Sequence, residues 1–333
     1  MVAGGFWSGR KVLVTGAGGF IGSHLAETLV CAGASVRAFV RYNSRNDLGW
    51  LEYVDPQILG EIDVFRGDLI NPEAVQGGVE GCDTVLHLGA LIPIPYSYQH
   101  PREFVDANVT GGLNVFEACR RLGVRRLVHT SSSETYGTAQ RVPIDEDHPL
   151  NAQSPYAATK VGADQLALSY KVSFDLPVVI VRPFNTYGPR QTARAVIPTI
   201  ISQALAQDTI ALGSTTTTRD FLYVADTVAG MMRCAEVDGI EGEVINLGTG
   251  TEVTIAELVE RALRVLGKDV PVSEDAERLR PADSEVERLL ADPAKAKRLL
   301  GWRSTVDLDE GLRRTADWLS GSIDQYKTAL YNV

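Results

Sequence analysis

Two residues four positions apart, Tyr156 and Lys160, have the chemistry to take a proton from a substrate alcohol. A spacing of four places both side chains on one face of a helix, one turn apart. A free tyrosine has a pKa of about 10 and is a poor base at neutral pH. We expect the lysine ammonium to lower the pKa of Tyr156, so that its phenolate can accept the proton.

Hydroxyl and carboxyl side chains gather in a second segment, residues 130–137, which reads TSSSETYG. Side chains two positions apart share a face of an extended chain, so Ser132 and Glu134 are expected on the same side, with Ser133 between them. A carboxylate in a reactive cleft is a candidate base. The alternative is a buried or solvated glutamate without chemistry.

A glycine-rich segment, TGAGGFIG at 15–22, follows an apolar run and opens a helical one. Gly16 allows a tight turn, Gly19 lets the backbone approach a pyrophosphate, and Gly22 lets helix and strand pack closely. In this context the spacing predicts a site for a nicotinamide dinucleotide, which would accept a hydride while the tyrosine takes the proton. Its positive ring is expected to act with the lysine in lowering the pKa of Tyr156. The loop residues expected to contact the cofactor are Gly16, Gly19, Phe20, Ile21 and Gly22.

The residues after the second apolar run favour NADP over NAD. NAD sites usually carry an acid there for the adenosine ribose, but no acid occurs before Asp47, and Arg41 and Arg45 are present instead. An arginine can hold a 2′-phosphate. The alternative is that both arginines are solvated and that NAD binds without the carboxylate. Asp68 and Leu69 are expected beside the adenine.

Short β-branched runs alternate with helical stretches along the first half of the chain. Strands are predicted at 11–16, 35–40, 62–68, 83–90, 126–132 and 244–250, and residues 176–188 are predicted to form a strand and its exit loop. Helices are predicted at 20–32, 72–80, 104–122 and 155–174. Such alternation implies parallel strands joined by right-handed crossovers. The expected fold class is therefore α/β, a Rossmann-type doubly wound parallel sheet with a smaller C-terminal substrate-binding lobe.

The domain boundaries follow from the sequence pattern, because the regular alternation of strands and helices stops after about residue 190. The dinucleotide-binding domain is placed at 1–190, with a returning strand near 241–250. The second lobe is placed at 191–240 and 251–325. Within it, an acidic and basic stretch at 273–300 predicts further helix.

Composition excludes several classes of protein. The 333 residues carry 32 Lys+Arg against 42 Asp+Glu, a formal net charge of −10 that argues against a nucleic-acid partner. No apolar run approaches the ~18 residues needed to cross a bilayer, and no signal-peptide pattern is present, so a cytoplasmic protein without a membrane partner is expected. The 4 cysteines and 5 histidines are scattered without ligand spacing, and no metal site is predicted.

Six motifs occur in the order and spacing of the extended short-chain dehydrogenase/reductase family, which the chain resembles over nearly its whole length. They are TGAGGFIGSHL, HLGA at 87–90, SSSETYG, YAATK at 156–160, RPFNTYGPR at 182–190 and RDFLYVAD at 219–226. The resemblance implies that Tyr156 and Lys160 are the catalytic pair and that Ser132 bonds the reacting sugar hydroxyl. It further implies cofactor contacts at Leu88 and Ala90, and substrate contacts at Asn185, Arg219, Arg280 and Asp283.

Within that family the chain looks like a nucleotide-sugar 4,6-dehydratase. In such enzymes a glutamate removes the C5 proton made acidic by a C4 ketone, and an acid assists loss of the C6 hydroxyl. Glu134 matches the glutamate, whereas Ser133 stands where many of these enzymes carry aspartate. Segments 36–52, 90–101 and 182–201 resemble the N-acetylglucosamine-nucleotide 4,6-dehydratases of legionaminic acid pathways.

Other reactions stay open. A UDP-glucuronate decarboxylase shares the hydroxyl-Ser-Glu triplet, and a 4-epimerase shares the tyrosine and lysine. The segment at 90–101 offers Tyr96 as a substrate contact but no cation for a sugar carboxylate, which Arg190 or Arg194 could supply. A non-catalytic dinucleotide sensor would need neither the tyrosine nor the lysine, and a simple dehydrogenase would release reduced cofactor.

The expected partners are a nucleotide-diphosphate sugar and a second copy of the chain. The apolar faces of the helices at 104–122 and 156–174 could form a four-helix contact, and twofold homo-oligomers are common. The alternative is that these faces only cover the sheet.

Overall fold

The strands follow the runs of β-branched residues, and the computed structural model describes residues 5–328. In chain order they are β1 (Lys11–Thr15), β2 (Ser35–Val40), β3 (Asp63–Arg66), β4 (Thr84–His87), β5 (Arg126–Thr130), β6 (Val178–Pro183), β7 (Asn185–Tyr187), β8 (Ile210–Leu212), β9 (Thr218–Arg219), β10 (Phe221–Tyr223), β11 (Val244–Leu247), β12 (Val253–Thr254), β13 (Val272–Glu274) and β14 (Arg288–Leu289). Seven of them form one parallel sheet in the order β11-β6-β5-β4-β1-β2-β3. The predicted fold class is confirmed.

Helices cover both faces of this sheet and build the second lobe. They are α1 (Phe20–Cys31), α2 (Pro56–Gly60), α3 (Pro72–Val79), α4 (Ile94–Gln99), α5 (Pro101–Phe104), α6 (Gly111–Leu122), α7 (Pro155–Phe174), α8 (Val196–Ala206), α9 (Val224–Glu236), α10 (Ile255–Leu266), α11 (Ala294–Leu300) and α12 (Leu308–Gly321). The helix predicted at 155–174 is confirmed as α7. Ser154 caps it by accepting from the Ala157 amide at 3.1 Å, and Pro155 occupies its first turn.

Two predicted helices differ from the structure. The helix expected at 104–122 is interrupted by a π-helix at Val105–Thr110, which turns the Asn108 amide inward to bond both backbone groups of Leu91. The charged stretch at 273–300 is mostly not helical and contains β13, two short 3₁₀ turns and β14, with only Ala294–Leu300 helical. Pro281 stands between the two turns, and β13 and β14 pair with β8 and β9.

The core lies in two layers, one on each face of the sheet. Along β6, Val179 and Val181 belong to one cluster of buried apolar residues, whereas Val178 and Ile180 belong to the other. This alternation follows from the period of two along a strand. Because all seven strands are parallel, their carboxyl ends meet at one edge of the sheet, where such sheets bind ligands.

The second lobe packs α8, α10 and α12 together and adds short strand pairs. Its β9 and β10 follow one another at residues 218–223 and face the same sheet edge through Arg219 and Phe221. Within residues 5–328, no helix combines the length and apolarity needed to cross a membrane.

Candidate active site

A cavity of about 1510 Å³ lies at the carboxyl edge of the sheet, between the sheet and the second lobe. Residues from the loops after β1 to β6 line one side, and Leu212, Gly213 and Arg219 line the other. Its volume falls above the ~300–1,000 Å³ of ordinary small-molecule pockets. The cavity can therefore accommodate two ligands side by side.

The glycine loop after β1 forms the floor of one half of the cavity. Gly16 has φ +69°, and a Cβ on it would lie 2.8 Å from the Gly89 nitrogen. A Cβ on Gly22 would lie 2.1 Å from the Gly16 oxygen, so only glycine permits this approach. Gly19 caps α1 without a side chain, so the first amides of the helix open toward the cavity. The loop thus fits the diphosphate of a dinucleotide.

The expected adenine end lies beside the ends of β2 and β3. Arg41 and Asp68 both line the cavity, and their side chains approach to 3.5 Å. The Arg41 side chain is 80% exposed and free to reorient toward a phosphate. Three further residues expected to contact the cofactor also line this half: Leu69, Leu88 and Ala90.

Tyr156 and Lys160 line the cavity from the first turns of α7, and both are buried. The Lys160 ammonium donates to the carbonyl oxygen of Thr130 at 2.5 Å. Burial raises the pKa of Tyr156 to about 12, against a smaller lowering effect of its hydrogen bond with Ser132. Burial thus penalises the phenolate more than this hydrogen bond favours it, and the lowering expected from the lysine and a nicotinamide ring together stays a prediction.

The pKa of Lys160 is also shifted by burial, in the opposite direction. Loss of solvent lowers it from 10.5 to about 8, and the charge of Asp164 acts against that change. Lys160 therefore remains mostly protonated at neutral pH. Its ammonium can stabilise a negative charge that develops on the tyrosine oxygen.

The segment after β5 places hydroxyl and carboxyl groups opposite the tyrosine. It is a 3₁₀ turn at Ser133–Tyr136 rather than the extended chain expected, and Ser132 caps it by accepting from the Glu134 amide at 3.2 Å. Ser132, Ser133 and Glu134 all line the cavity. Burial lowers the pKa of Arg219 and raises that of Tyr156, and the charge of Glu134 acts upward on both, so this carboxylate is near each of them.

The second lobe contributes groups suited to an anionic ligand. Arg219 is buried, and its Nη2 lies 3.3 Å from Oε1 of Glu285. Arg280 approaches the same oxygen at 3.5 Å. Asn185 also lines the cavity, and among the described residues its buried Oδ1 has no hydrogen-bond partner. Two guanidinium groups around one carboxylate leave a net positive charge, which fits a diphosphate.

Three residues expected to bind substrate lie elsewhere, since the described cavity lining does not include them. Tyr96 is half-buried against Phe104 and donates to Glu103 at 2.9 Å. Arg190 has φ +66°, and its guanidinium is buried against Glu27 at 2.7 Å. Asp283 is exposed in a 3₁₀ turn.

The residues that take these places were not all found from the sequence. Of the two arginines that could supply a cation for a sugar carboxylate, Arg190 and Arg194, the one that lines the cavity is Arg194. Glu285, two positions after Asp283, supplies the carboxylate near Arg219 and Arg280. The only sequence signal for Glu285 was its position in the RLRPADSEV segment, because local pattern does not say which of two nearby acids turns inward.

The groups near the cavity include no metal centre: within residues 5–328, no cluster of three His, Cys, Asp or Glu side chains could hold an ion. The arrangement instead combines a glycine loop suited to a dinucleotide, a tyrosine with a protonated lysine, a cavity carboxylate and a group of arginines suited to an anion. Such a site can oxidise an alcohol carbon of an anionic substrate and then act on a neighbouring carbon.

Comparison with known sequences gives a consistent result. Residues 13–315 match the family described as GDP-mannose 4,6 dehydratase. The chain is 33% identical over 324 residues to UDP-glucuronate 4-epimerase of Thermodesulfobacterium geofontis, covering 95% of this chain and 98% of that protein.

Two solved structures are similar over almost their full length. The dTDP-glucose 4,6-dehydratase of Streptomyces venezuelae with NAD bound superposes with a TM-score of 0.84 at 29% identity, covering 96% of this chain and 99% of that one. UDP-N-acetylglucosamine 4-epimerase of Methanobrevibacter ruminantium, in complex with UDP-N-acetylmuramic acid, gives 0.85 at 29% identity, covering 95% and 99%.

Proposed function

The chain belongs to the GDP-mannose 4,6 dehydratase family of NAD-dependent nucleotide-sugar dehydratases and epimerases, and we propose that it is a 4,6-dehydratase. Its substrate would be a nucleotide diphosphate attached to N-acetylglucosamine, and its product would be the 4-keto-6-deoxy form of that sugar. The observation that carries this proposal is the position of Glu134. Glu134 lines the cavity and its charge reaches both Tyr156 and Arg219, so it supplies a base that C4 oxidation alone does not require.

In the proposed dehydration each of five cavity residues has its own role. Tyr156 takes the proton of the C4 hydroxyl, with Ser132 bonding the same oxygen and Lys160 stabilising the phenolate. A dinucleotide held by the glycine loop would supply a positive ring, an acceptor for the C4 hydride and a donor of that hydride to C6. The ketone at C4 makes the C5 proton acidic, and Glu134 removes it. The C6 hydroxyl leaves as water, assisted by Ser133 or a water held there. Of the two protons taken from the C4 hydroxyl and from C5, one leaves with that water and one returns to C5 when the hydride reaches C6.

Ser133 is the specific reason to keep a second candidate. A serine is a weaker acid than the aspartate of many dehydratases, and a 4-epimerase needs no acid at this position. The similarity to UDP-glucuronate 4-epimerase agrees with that alternative. In an epimerase, Glu134 would have no proton to remove.

Cofactor and sugar are also proposals. Arg41 at the adenine end favours NADP over NAD, although the related dehydratase structure holds NAD. The wall at residues 90–95, ALIPIP, is apolar and lines the cavity, which suits an N-acyl group better than a charged sugar. Segments resembling the enzymes of legionaminic acid pathways support the same substrate.

The deciding experiment is incubation of the purified protein with UDP-, GDP- and dTDP-hexoses and with UDP-glucuronate, without added cofactor. Mass spectrometry should show loss of one water from a hexose nucleotide, and chromatography of the denatured protein should identify the bound dinucleotide. Loss of carbon dioxide from UDP-glucuronate would establish the decarboxylase instead. An unchanged mass with inversion at C4 would establish the epimerase.

A substitution tests the role of Glu134 directly. In Glu134→Gln, the bound cofactor should become reduced on mixing with substrate, while water loss falls by ~10²–10⁴-fold, the usual contribution of a general base. Glu103→Gln is the matched control, because Glu103 is another carboxylate of the same cavity and should leave water loss unchanged. Wild-type water loss in Glu134→Gln would remove the residue from the mechanism.

A further inference from the structure

Behind the Tyr156–Lys160 pair, α7 carries a third polar side chain, Asp164, on the same face and one turn further on. Asp164 is 0% exposed and is not among the described residues that line the cavity. Burial alone would raise the pKa of this carboxyl, but His129 and Arg182 together lower it below its ordinary value. The group is therefore ionised. Burying a charge costs free energy unless hydrogen bonds and opposite charges compensate for the lost solvent, so the partners of this carboxylate are informative.

One set of contacts runs from Asp164 to the start of the turn after β5. Oδ2 of Asp164 accepts from the Ser131 hydroxyl at 2.8 Å. Ser131 stands between Thr130, whose carbonyl accepts from Lys160, and Ser132, which caps the turn. The Asp164 carboxylate thus fixes the backbone between Thr130, which accepts from Lys160, and Ser132, which begins the turn.

A second set of contacts runs from Asp164 to the end of the same turn. Arg182 donates to Oδ2 of Asp164 from Nη2 at 2.8 Å and from Nε at 3.2 Å. Its Nη1 donates to the Tyr136 hydroxyl at 2.9 Å, which in turn donates to Asn246 Oδ1 at 2.8 Å. Tyr136 is the last residue of the 3₁₀ turn that carries Glu134.

We propose that Asp164 is a positioning residue, which holds both ends of the turn bearing Ser132 and Glu134 against the helix bearing Tyr156 and Lys160. A buried ion pair adds little stability compared with an apolar pair of similar size, but it can define one geometry. Geometry matters here because a misplacement of about 1 Å in a reacting group can cost ~10²-fold in rate. The inference rests on the proposed function only in one respect: Tyr156 and Lys160 remove the hydroxyl proton while the first hydride is transferred.

The test measures that first step, the reduction of bound cofactor on rapid mixing with the hexose nucleotide that wild type converts fastest. Dehydratase, decarboxylase and epimerase all share this step, so failure of the dehydratase assignment leaves the test intact. Asp164→Asn should lower the rate by at least ~10-fold with KM unchanged, because the binding groups are not displaced. Ser131→Ala, which keeps the ion pair with Arg182, should show a smaller loss with the same pattern.

A matched control separates positioning from stability. Arg126 is 1% exposed at the other end of β5, and its Nη2 donates to Glu241 at 2.7 Å. Glu241→Gln should therefore lower the unfolding temperature without changing the rate of cofactor reduction. A folded Asp164→Asn that reduces its cofactor at the wild-type rate would overturn the proposal. If that variant does not fold, a wild-type rate in Ser131→Ala overturns it.

Discussion

Burial shifts the pKa values of Tyr156 and Lys160 in opposite directions. Loss of solvent penalises the charged form of each group, so the tyrosine pKa rises to about 12 while the lysine pKa falls to about 8. At neutral pH burial therefore favours a neutral phenol beside a protonated amine. Positive charge near the phenol favours its ionisation. In the proposed mechanism the positive ring of a bound dinucleotide would add such charge, which would tie proton removal to cofactor binding.

The lysine shift gives an expected pH dependence. Lys160 is charged below about pH 8 and neutral above it, whereas the phenolate of Tyr156 becomes more abundant as pH rises toward about 12. Because proton removal needs the phenolate and the charged lysine together, kcat/KM, which reports ionisations of the free enzyme, should rise with pH up to about 8 and level off above it. Initial rates at subsaturating substrate from neutral to alkaline pH measure this. Lys160→Arg keeps its charge because the arginine pKa exceeds ~12, and its residual activity should continue to rise above pH 8. The same levelling near pH 8 in that variant would assign the ionisation to another group.

At the residue scale, the sequence predicts best where a residue's role is fixed by local spacing. Tyr156, Lys160, Ser132 and Glu134 each lie in short motifs, and the structure brings all four to one cavity. Their chemical roles remain predictions. Arg190 shows the limit, because its positive φ turns the side chain away from the cavity, and a motif does not reveal such a backbone conformation.

At the element scale, prediction succeeds where periodicity and caps agree. The helix α7 has an N-cap serine, a proline in its first turn and a long periodic body, and its predicted bounds are those observed. The π-helix at Val105–Thr110 has no such signal, since it depends on the amide of Asn108 bonding Leu91 from a distant loop. The segment at 273–300 was misassigned because its short strands form by pairing with β8 and β9.

The close packing of the glycine loop gives a prediction at this scale. Gly22→Ala places a methyl group 2.1 Å from the Gly16 oxygen, which forces the loop away from α1. We expect a stability loss of roughly 1–3 kcal/mol, typical of overpacking, and at least a ~10-fold weaker affinity for dinucleotide. Thermal unfolding and calorimetric titration measure the two effects.

Gly60→Ala serves as the control for that substitution. A Cβ on Gly60 would have no neighbour within 4 Å, and its backbone is not left-handed. The substitution should be neutral or stabilise by about 0.4–1 kcal/mol through the unfolded state, with dinucleotide affinity unchanged. Equal affinity in the Gly22 and Gly60 variants would show that the loop does not need the close approach.

At the scale of the whole molecule, charge is distributed to suit an anionic substrate. The chain carries a formal net charge of −10, yet Arg194, Arg219 and Arg280 line the cavity. Guanidinium groups that line a cavity act on a ligand in contact with them, whereas surface carboxylates at a distance are screened by salt. A net negative protein can therefore bind a nucleotide diphosphate while its surface disfavours nucleic acid.

The outer face of α6 and α7 is where a second copy of the chain is expected to bind. The two helices adjoin, and Leu113, Val172 and Phe174 on them are exposed, with Val172 at 87%. Apolar side chains on neighbouring helices can form a twofold four-helix contact of about 800 Å² per partner. Light scattering after size exclusion should give twice the chain mass, and Leu113→Asp with Val172→Asp should reduce it to one chain. Leu279→Asp, at a 44% exposed leucine of the second lobe, should leave the dimer intact. A wild-type protein that stays monomeric at high concentration would show that these faces only cover the sheet.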